Sequence, residues 1–372
     1  MEFRDLKKQY KSNKESIDRA VFAVIEGANF IHGNQVSDLE EELAKYVGVK
    51  HCVTCANGTD ALQLALMTWK IGVGDAVFVP DFTFFSSGEV VPLVGATPIF
   101  VDIDKDTYNI SPASLENAIE YVLTKTDLTP RVIVAVDLFG QPADFEHIKM
   151  IAHKYNLLIL EDAAQGFGGQ IGEEKACSFG DISTTSFFPA KPLGCYGDGG
   201  AIFTDNDEWA EVLRSLCVHG KGTDKYDNIR IGMNSRLDTL QAAVLLEKLK
   251  FFDDEIFRCN IIAEEYTSHL KDIVKTPVIV TGMRSSWAQY TVCAKDANER
   301  ARIMQNLKEE GVPTAIYYRK PMHTQSAFVA YTESSSLDYR IAVNVCQSCF
   351  SLPMHAFLKQ EDVKKIAKVI CK

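Results

Sequence analysis

The sequence predicts an α/β fold: a mostly parallel sheet covered by helices on both faces, followed by a smaller α+β region. Three observations predict it. From about residue 50 to 162, short apolar runs alternate with stretches of helical periodicity. The runs "VIVAV" and "LLILE" are apolar throughout rather than alternating, which marks strands buried on both faces, as in parallel sheets. Beyond about residue 250 the order changes, and "SWAQYTVCAK" and "TAIYY" read as strands mixed with helices. The expected division is therefore a large domain over 1–247 and a small one over 248–372.

The elements follow in order. Residues 12–27 and 35–47 have helical periodicity, and the second run stops at Gly48. "KHCVTCA" is β-branched and apolar, a strand, and "TDALQLALMTWKI" a helix. "DAVFVP", "TPIFVDID", "RVIVAVDLFG" and "LLILED" read as further strands. Between them lie the helical patterns "FSSGEVVPLVG", "SPASLENAIEYVL" and "DFEHIKMIAHKY", the second with a serine cap. "DISTTSFF" and "GGAIFTDN" form two more strands joined by a loop that carries Lys191. A helix at "DEWAEVLRSLC" precedes an irregular polar loop, and a long helical pattern then begins at "RLDTLQAAVLLEKL".

Composition narrows the function. The 372 residues are 46% hydrophobic and 24% charged, ordinary for a globular chain with a large core. A formal net charge of -11 argues against nucleic acid or an anionic membrane surface as partner. The start, "MEFRDLKKQY", has no apolar leader, and no apolar run reaches the ~18 residues of a membrane span, so a cytoplasmic protein is expected. The ten cysteines are then expected to be reduced and mostly buried. Two pairs have C-x-x-C spacing, Cys52/Cys55 and Cys346/Cys349. Side chains three apart on a strand face opposite ways, so the first pair does not suit one metal, and no metal is expected.

In a parallel sheet, ligands bind beyond the carboxyl ends of the strands. That singles out Asn57–Asp60, Asp81–Phe85, Asp137–Gln141 and Asp162–Gln165. Four features there share one chemistry. In "SFFPAKPLGCYGDGG", Lys191 sits on a proline- and glycine-bounded loop, and a lysine of lowered pKa forms Schiff bases with aldehydes. Asp162 ends an apolar strand, where a carboxylate needs a partner such as a protonated pyridine, and Gln165 is placed to meet a phenolic oxygen. In "CANGTDALQLAL" a strand, a glycine turn and a helix start make an anion cradle from Gly58, Thr59 and Asp60, with Ser186 as a second donor. Phe84, past a strand end, is placed to stack on a flat ring. Each residue also has an ordinary reading: loop lysine, helix cap, capped helix, core aromatic. Their order along one domain favours the functional one, with pyridoxal 5'-phosphate (PLP) as cofactor.

At these residues the sequence resembles the DegT/StrS family of PLP-dependent sugar aminotransferases. The resemblance covers "NGTDAL", "GATPIFVDID", "EDAAQ", "SFFPAKPLGCYGDGGAIFT", "IGMNSRLDTLQAA" and "SLPMH", nearly the whole chain. It implies the type I fold of PLP-dependent transferases, that of aspartate aminotransferase. It implies that Lys191 carries PLP and moves the substrate proton, that Asp162 pairs with the ring nitrogen, and that Gln165 meets the phenolic oxygen. Thr59, the Gly58–Asp60 backbone and Ser186 would bind phosphate, and Phe84 would stack on the ring. Asn234 matches a residue that reaches the cofactor phosphate of the other subunit, so a homodimer with shared active sites is implied. The nearest subgroup is the WbpE type, which aminates UDP-2-acetamido-2-deoxy-3-oxo-glucuronate with L-glutamate as donor. The sequence departs from the family at "IYYRKPMHTQSAF": Tyr317 stands where histidine is common and Arg319 where proline is common. Glu89, His219, Arg236, Tyr317 and Arg319 are the candidate substrate contacts.

The resulting expectation is a cytoplasmic aminotransferase that moves an amino group from glutamate to a keto-sugar nucleotide, most simply a UDP- or dTDP-linked 3-keto sugar, in amino-sugar and surface-polysaccharide synthesis. Two alternatives stand beside it: amination of a 4-keto-6-deoxy sugar nucleotide, and a non-catalytic sensor on the same fold. The intact lysine argues against a dehydratase, whose relatives carry histidine there.

Overall fold

A computed structural model describes residues 1–224, 226–332 and 336–372. Its centre is a seven-stranded sheet: β1 (His51–Cys55), β2 (Asp75–Pro80), β3 (Thr97–Val101), β4 (Thr129–Val136), β5 (Leu158–Asp162), β6 (Ile182–Ser186) and β7 (Gly200–Thr204). In space the order is β1-β7-β6-β5-β4-β2-β3. All the strands run one way except β7, which is antiparallel to both β1 and β6. The reversal follows from connectivity. The β6–β7 link is a loop without a crossover helix, and only an antiparallel return can be made that way. It brings Gly200, at the start of β7, beside Ser186 and Cys55, at the ends of β6 and β1.

Strand alternation divides the core in two. Phe78, Ile133, Ala135 and Ile159 point into one layer, against the helices Asn34–Val47, Pro112–Lys125 and Phe145–Tyr155. Val77, Val79, Val132, Val134 and Leu160 point into the other, against the helix Gly58–Thr68. Cys52 belongs to the first layer and Cys55 to the second, so this pair does face opposite ways. Among the described residues no group of three or more His, Cys, Asp or Glu is arranged to hold a metal. Nor is any helix among them long and apolar enough to cross a membrane.

The helical pattern starting near residue 236 becomes one helix, Thr239–Leu270, which runs unbroken through residues 247 and 248. Ala242, Leu245, Phe252 and Ile256 pack into the first layer of the sheet domain. Cys259, Ile262, Tyr266 and Leu270 pack instead into a third core with β8 (Tyr290–Cys293) and β9 (Cys349–Leu352), an antiparallel pair. The expected strand at "TAIYY" does not form. Only Ala315 bridges to β9, at Ser351, while Tyr317 and Tyr318 pack against the sheet domain. Their aromatic area finds more cover there than on a strand edge.

Two buried carboxyl groups tie the layers together. Asp102, just past β3, accepts from the amides of Ile341 (2.9 Å) and Ala342 (2.8 Å), which open the helix Arg340–Ser348. Glu161 on β5 accepts from the amides of Cys177 (2.6 Å), Phe179 (2.8 Å) and Gly180 (3.2 Å) and from the Ser183 hydroxyl (2.7 Å). Asp137, after β4, lies against it and is wholly buried. Its Oδ1 takes the Ala143 amide at 3.0 Å, and its Oδ2 has no donor among the described residues. Two touching buried carboxyls cannot both be ionised. Glu161 has the donors, so Asp137 carries the proton; burial and the Glu161 charge push its pKa well above the carboxylate range.

Removing the Asp102 side chain leaves two helix amides buried without acceptors. We expect Asp102→Ala to lower the unfolding free energy by about 2–4 kcal/mol, read by denaturant titration. For Asp137 the folded pKa is raised, so the folded state holds the extra proton and that contribution is lost as pH rises. The melting temperature of the wild type should therefore fall relative to Asp137→Asn as pH climbs from about 4 upward, because the amide cannot titrate. Parallel curves for the two proteins would exclude the shared proton.

Candidate active site

The residues singled out from the sequence meet at the carboxyl edge of the sheet. The first wall is the turn from β1 into the helix Gly58–Thr68. Asn57 caps that helix, its Oδ1 accepting from the Asp60 amide at 2.8 Å. This uses the Asp60 amide internally and leaves the amides of Gly58 and Thr59 without a partner among the described residues. A Cβ on Gly58 would lie 2.7 Å from Ser186 Cβ, so only glycine lets the two strand ends approach this closely. The Thr59 hydroxyl pairs with that of Ser86 at 2.8 Å, and Ser86 donates on to Glu89 at 3.2 Å. Hydroxyls and free amides thus line a cradle with the chemistry of an anion site.

The second wall is the end of β5. Asp162 is buried, and its Oδ2 accepts from Ser87 Oγ at 2.7 Å while Oδ1 takes the Ala164 amide at 3.2 Å. Ser87 in turn pairs with Thr83 at 3.0 Å. Ser86 and Ser87 are neighbours on one helix, so Ser86 serves the cradle and Ser87 the acid. The partner-seeking carboxylate expected from the sequence therefore has one, supplied 75 residues upstream in the chain. That distance left no local signal for Ser87. Gln165 accepts from the Phe139 amide (2.7 Å), and its Nε2 donates to Tyr318 Oη (2.9 Å). Tyr318 is a site residue that sequence reasoning missed. It crosses from the small domain to pack edge-on against Phe82 (5.8 Å between rings) and beside Phe84 (6.3 Å). Phe84 itself is 53% exposed, unlike Phe82 at 1%, and exposure of a large ring at this edge suits stacking rather than core packing.

The third wall is the loop with Lys191. Its amides close it on itself: Lys191 to Phe188 O (2.8 Å), Cys195 to Phe187 O (2.8 Å) and Phe187 to Gly199 O (2.7 Å). Pro189 and Pro192 restrict the backbone on either side. A Cβ on Gly194 would sit 2.5 Å from Pro189 O, so the loop folds tightly only with glycine there. Lys191 is half-buried. Burial lowers its pKa below the usual lysine value, the Asp162 charge works against this, and the Arg4 guanidinium adds to the lowering. The result is an amine nearer to neutral, the form that attacks a carbonyl.

Behind the site, Asp81 and His323 form a second unforeseen link between the domains. Asp81 is fully buried and accepts from His323 twice, at the amide (2.8 Å) and with Oδ2 on the ring Nδ1 (2.6 Å). Burial pushes Asp81 up to about 6 despite those bonds. Tyr339 stacks on the outer face of the imidazole at 4.3 Å. The pair fixes the strand end that leads into Phe82, Thr83 and Phe84.

The structure brings together Gly58, Thr59, Asp60, Phe84, Glu89, Asp162, Gln165, Ser186 and Lys191, with Tyr317 adjoining through Tyr318. His219, Asn234 and Arg319 are exposed, Arg236 is half-buried, and none has a described side-chain bond to this cluster. The neighbour of Asn234, Ser235, does reach it, accepting from the Ala56 amide at 3.0 Å. The segment therefore passes the rim of the cradle.

Known proteins resemble this chain over nearly its whole length. The model of the DegT/DnrJ/EryC1/StrS aminotransferase family matches residues 11–371. A UDP-2-acetamido-2-deoxy-3-oxo-D-glucuronate aminotransferase of Pseudomonas aeruginosa is 43% identical, over 100% of this chain and 99% of its own. The crystal structure of a DegT DnrJ EryC1 StrS aminotransferase from Brucella abortus is 46% identical and superposes with a TM-score of 0.97, covering 100% of this chain and 98% of that one. NtdA from Bacillus subtilis, solved with bound cofactor PMP, is 29% identical with a TM-score of 0.86, covering 97% of this chain and 82% of that one. This chain belongs to the DegT/DnrJ/EryC1/StrS aminotransferase family.

Proposed function

We propose that the chain is a PLP-dependent aminotransferase that moves an amino group from L-glutamate to a nucleotide-linked keto sugar, with a UDP-linked 3-keto sugar as its substrate. The observation that carries this reading is the convergence of Asp162, Gln165, Lys191 and the Gly58–Thr59–Ser186 cradle at one sheet edge. The donor set fits PLP: an anion cradle, a buried carboxylate, an exposed aromatic ring and a lysine of lowered pKa lie at one edge of the sheet. When bound, PLP supplies an electron sink that lets a C–H bond beside nitrogen be broken.

The chain's own residues then have separable tasks. The free amides of Gly58 and Thr59, the Thr59 hydroxyl and Ser186 would hold the phosphate. Asp162, held by Ser87, would pair with the ring nitrogen and favour its protonated form. Phe84 would cover one ring face, and Gln165, whose Nε2 donates to Tyr318, would meet the phenolic oxygen. Lys191 would hold the cofactor through Nζ, and its amine would serve as the base at the reacting carbon. A pKa lowered by burial suits that base role. Glu89, His219, Arg236, Tyr317 and Arg319 are assigned to the sugar nucleotide, with the arginines suited to phosphate or carboxylate. The identity with the Pseudomonas aeruginosa enzyme supports a 3-keto, UDP-linked substrate. Unpaired thiols, nine of the ten buried, support a reducing, cytoplasmic setting.

We assign a homodimer with shared sites. Ile229 (56% exposed) and Ile231 (90% exposed) lie in the segment before Asn234, and apolar side chains this open suit a partner surface. Asn234 would then serve the cradle of the partner subunit.

Lys191→Ala should abolish transamination and the visible absorption of bound cofactor; an active variant would refute the reading. Mass spectrometry of products from a panel of 3-keto and 4-keto sugar nucleotides, with glutamate as donor, should give an amine with the UDP-linked 3-keto members. A 4-amino product, or cofactor binding without turnover on any member, would favour the two alternatives in turn. Mixing Lys191→Ala with Asn234→Ala subunits, each inactive alone, should restore up to about a quarter of wild-type activity, because half of random dimers carry one intact site. No recovery in verified mixed dimers would exclude sharing through Asn234.

A further inference from the structure

The lysine loop is irregular, close-packed and poor in donors, since Pro189 and Pro192 have no N–H. Its carbonyls nevertheless need partners. Two cations from distant parts of the chain supply them. The Arg4 guanidinium reaches Lys191 O at 3.0 Å and Pro192 O at 3.5 Å with Nη2, and Ala288 O of the small domain at 3.4 Å with Nη1. Lys248, 4% exposed on the long helix, donates to Gly194 O. Arg4 is itself held in place. Asp5 beside it caps the helix Leu6–Ser12 through the Lys8 amide (2.9 Å), and Phe3 O accepts from the Met354 amide (3.2 Å).

We propose that Arg4 and Lys248 form a two-cation clamp on the carbonyls of the lysine loop, and that Arg4 is a positioning residue for Lys191: it fixes the backbone from which the amine reaches and keeps a permanent positive charge beside it. The fork of a guanidinium spans several carbonyls at once, and it does not lose its proton, so its charge persists at every working pH. The clamp's second arm is different in kind. Burial lowers Lys248 to about 8, so that arm weakens in alkali while Arg4 holds. The surrounding charges are few. Asp162 faces Lys191 from β5. Glu255, Cys259 and Tyr317 face Arg4, and His355 lies nearby. Glu255 and Cys195 face Lys248, and the Tyr196 ring lies 5.3 Å from its amine. Glu255 acts on both cations, and Gln9 donates to it at 2.7 Å.

This inference rests on Lys191 being the reactive amine, but its test needs neither cofactor nor sugar. Trace reductive methylation of the full-length, cofactor-free protein across a pH series, read at Lys191 by peptide mass spectrometry, gives the midpoint of its titration. Arg4→Gln keeps donors and removes the charge, so the midpoint should rise by about half a unit to one unit. Arg4→Lys keeps the charge and should leave the midpoint in place. An unmoved midpoint in a folded Arg4→Gln protein overturns the proposal. Should Arg4→Gln not fold, hydrogen exchange of Arg4→Lys decides, since a single ammonium cannot span the carbonyls. The Phe187, Lys191 and Cys195 amides should then exchange at least about threefold faster, and unchanged rates overturn the clamp. Failure of either arm leaves the transaminase reading standing, and loss of turnover in Lys191→Ala says nothing about the clamp.

Discussion

A carboxylate buried at the end of a strand governs this architecture. Asp162 closes β5, and burial of such a group is tolerated only with donors around it. Ser87 and the Ala164 amide are those donors. To place Ser87 there, the helix Ser86–Leu93 must start at the carboxyl edge of the sheet, which also presents Phe84 and sets Ser86 beside Thr59. One requirement for charge compensation thus aligns the acid, the aromatic ring and the anion cradle.

The reversed strand is the second structural decision. Because β7 returns antiparallel beside β6, the loop between them is held at the same edge as the ends of β1 and β5. Lys191 is mounted on that loop, facing the acid across the site. The mount is stiff because prolines and a glycine-only contact leave little freedom, and because Arg4 and Lys248 take its carbonyls. An amine held in this way has its charge state set by surroundings that do not rearrange, the condition for tuned acid–base behaviour.

The small domain is part of the site rather than an appendage. Tyr318 reaches Gln165, His323 grips Asp81, and Ser286 Oγ donates to Gln165 O at 2.6 Å. The long helix is shared between two cores, Ala242 to Ile256 packing in one and Cys259 to Leu270 in the other.

Much of this was legible in the chain. Strand–helix alternation gave the parallel sheet, because strands buried on both faces cannot alternate polar and apolar residues. The lysine loop, the acid after β5 and the glycine turn before the helix Gly58–Thr68 stand at strand ends, where local pattern and site chemistry coincide. The strand expected at "TAIYY" failed because packing of Tyr317 and Tyr318 across the domain boundary outweighed local β preference. Ser87, Tyr318, Asp81–His323, the Asp137–Glu161 proton and the Arg4–Lys248 pair were invisible for a related reason. Each joins residues far apart in sequence, and its chemistry comes from burial and contact, which no spacing encodes. The sequence by itself determined the elements and the reactive groups at their ends; only tertiary packing decided which buried charges meet, because desolvation exists only once the chain has closed around them.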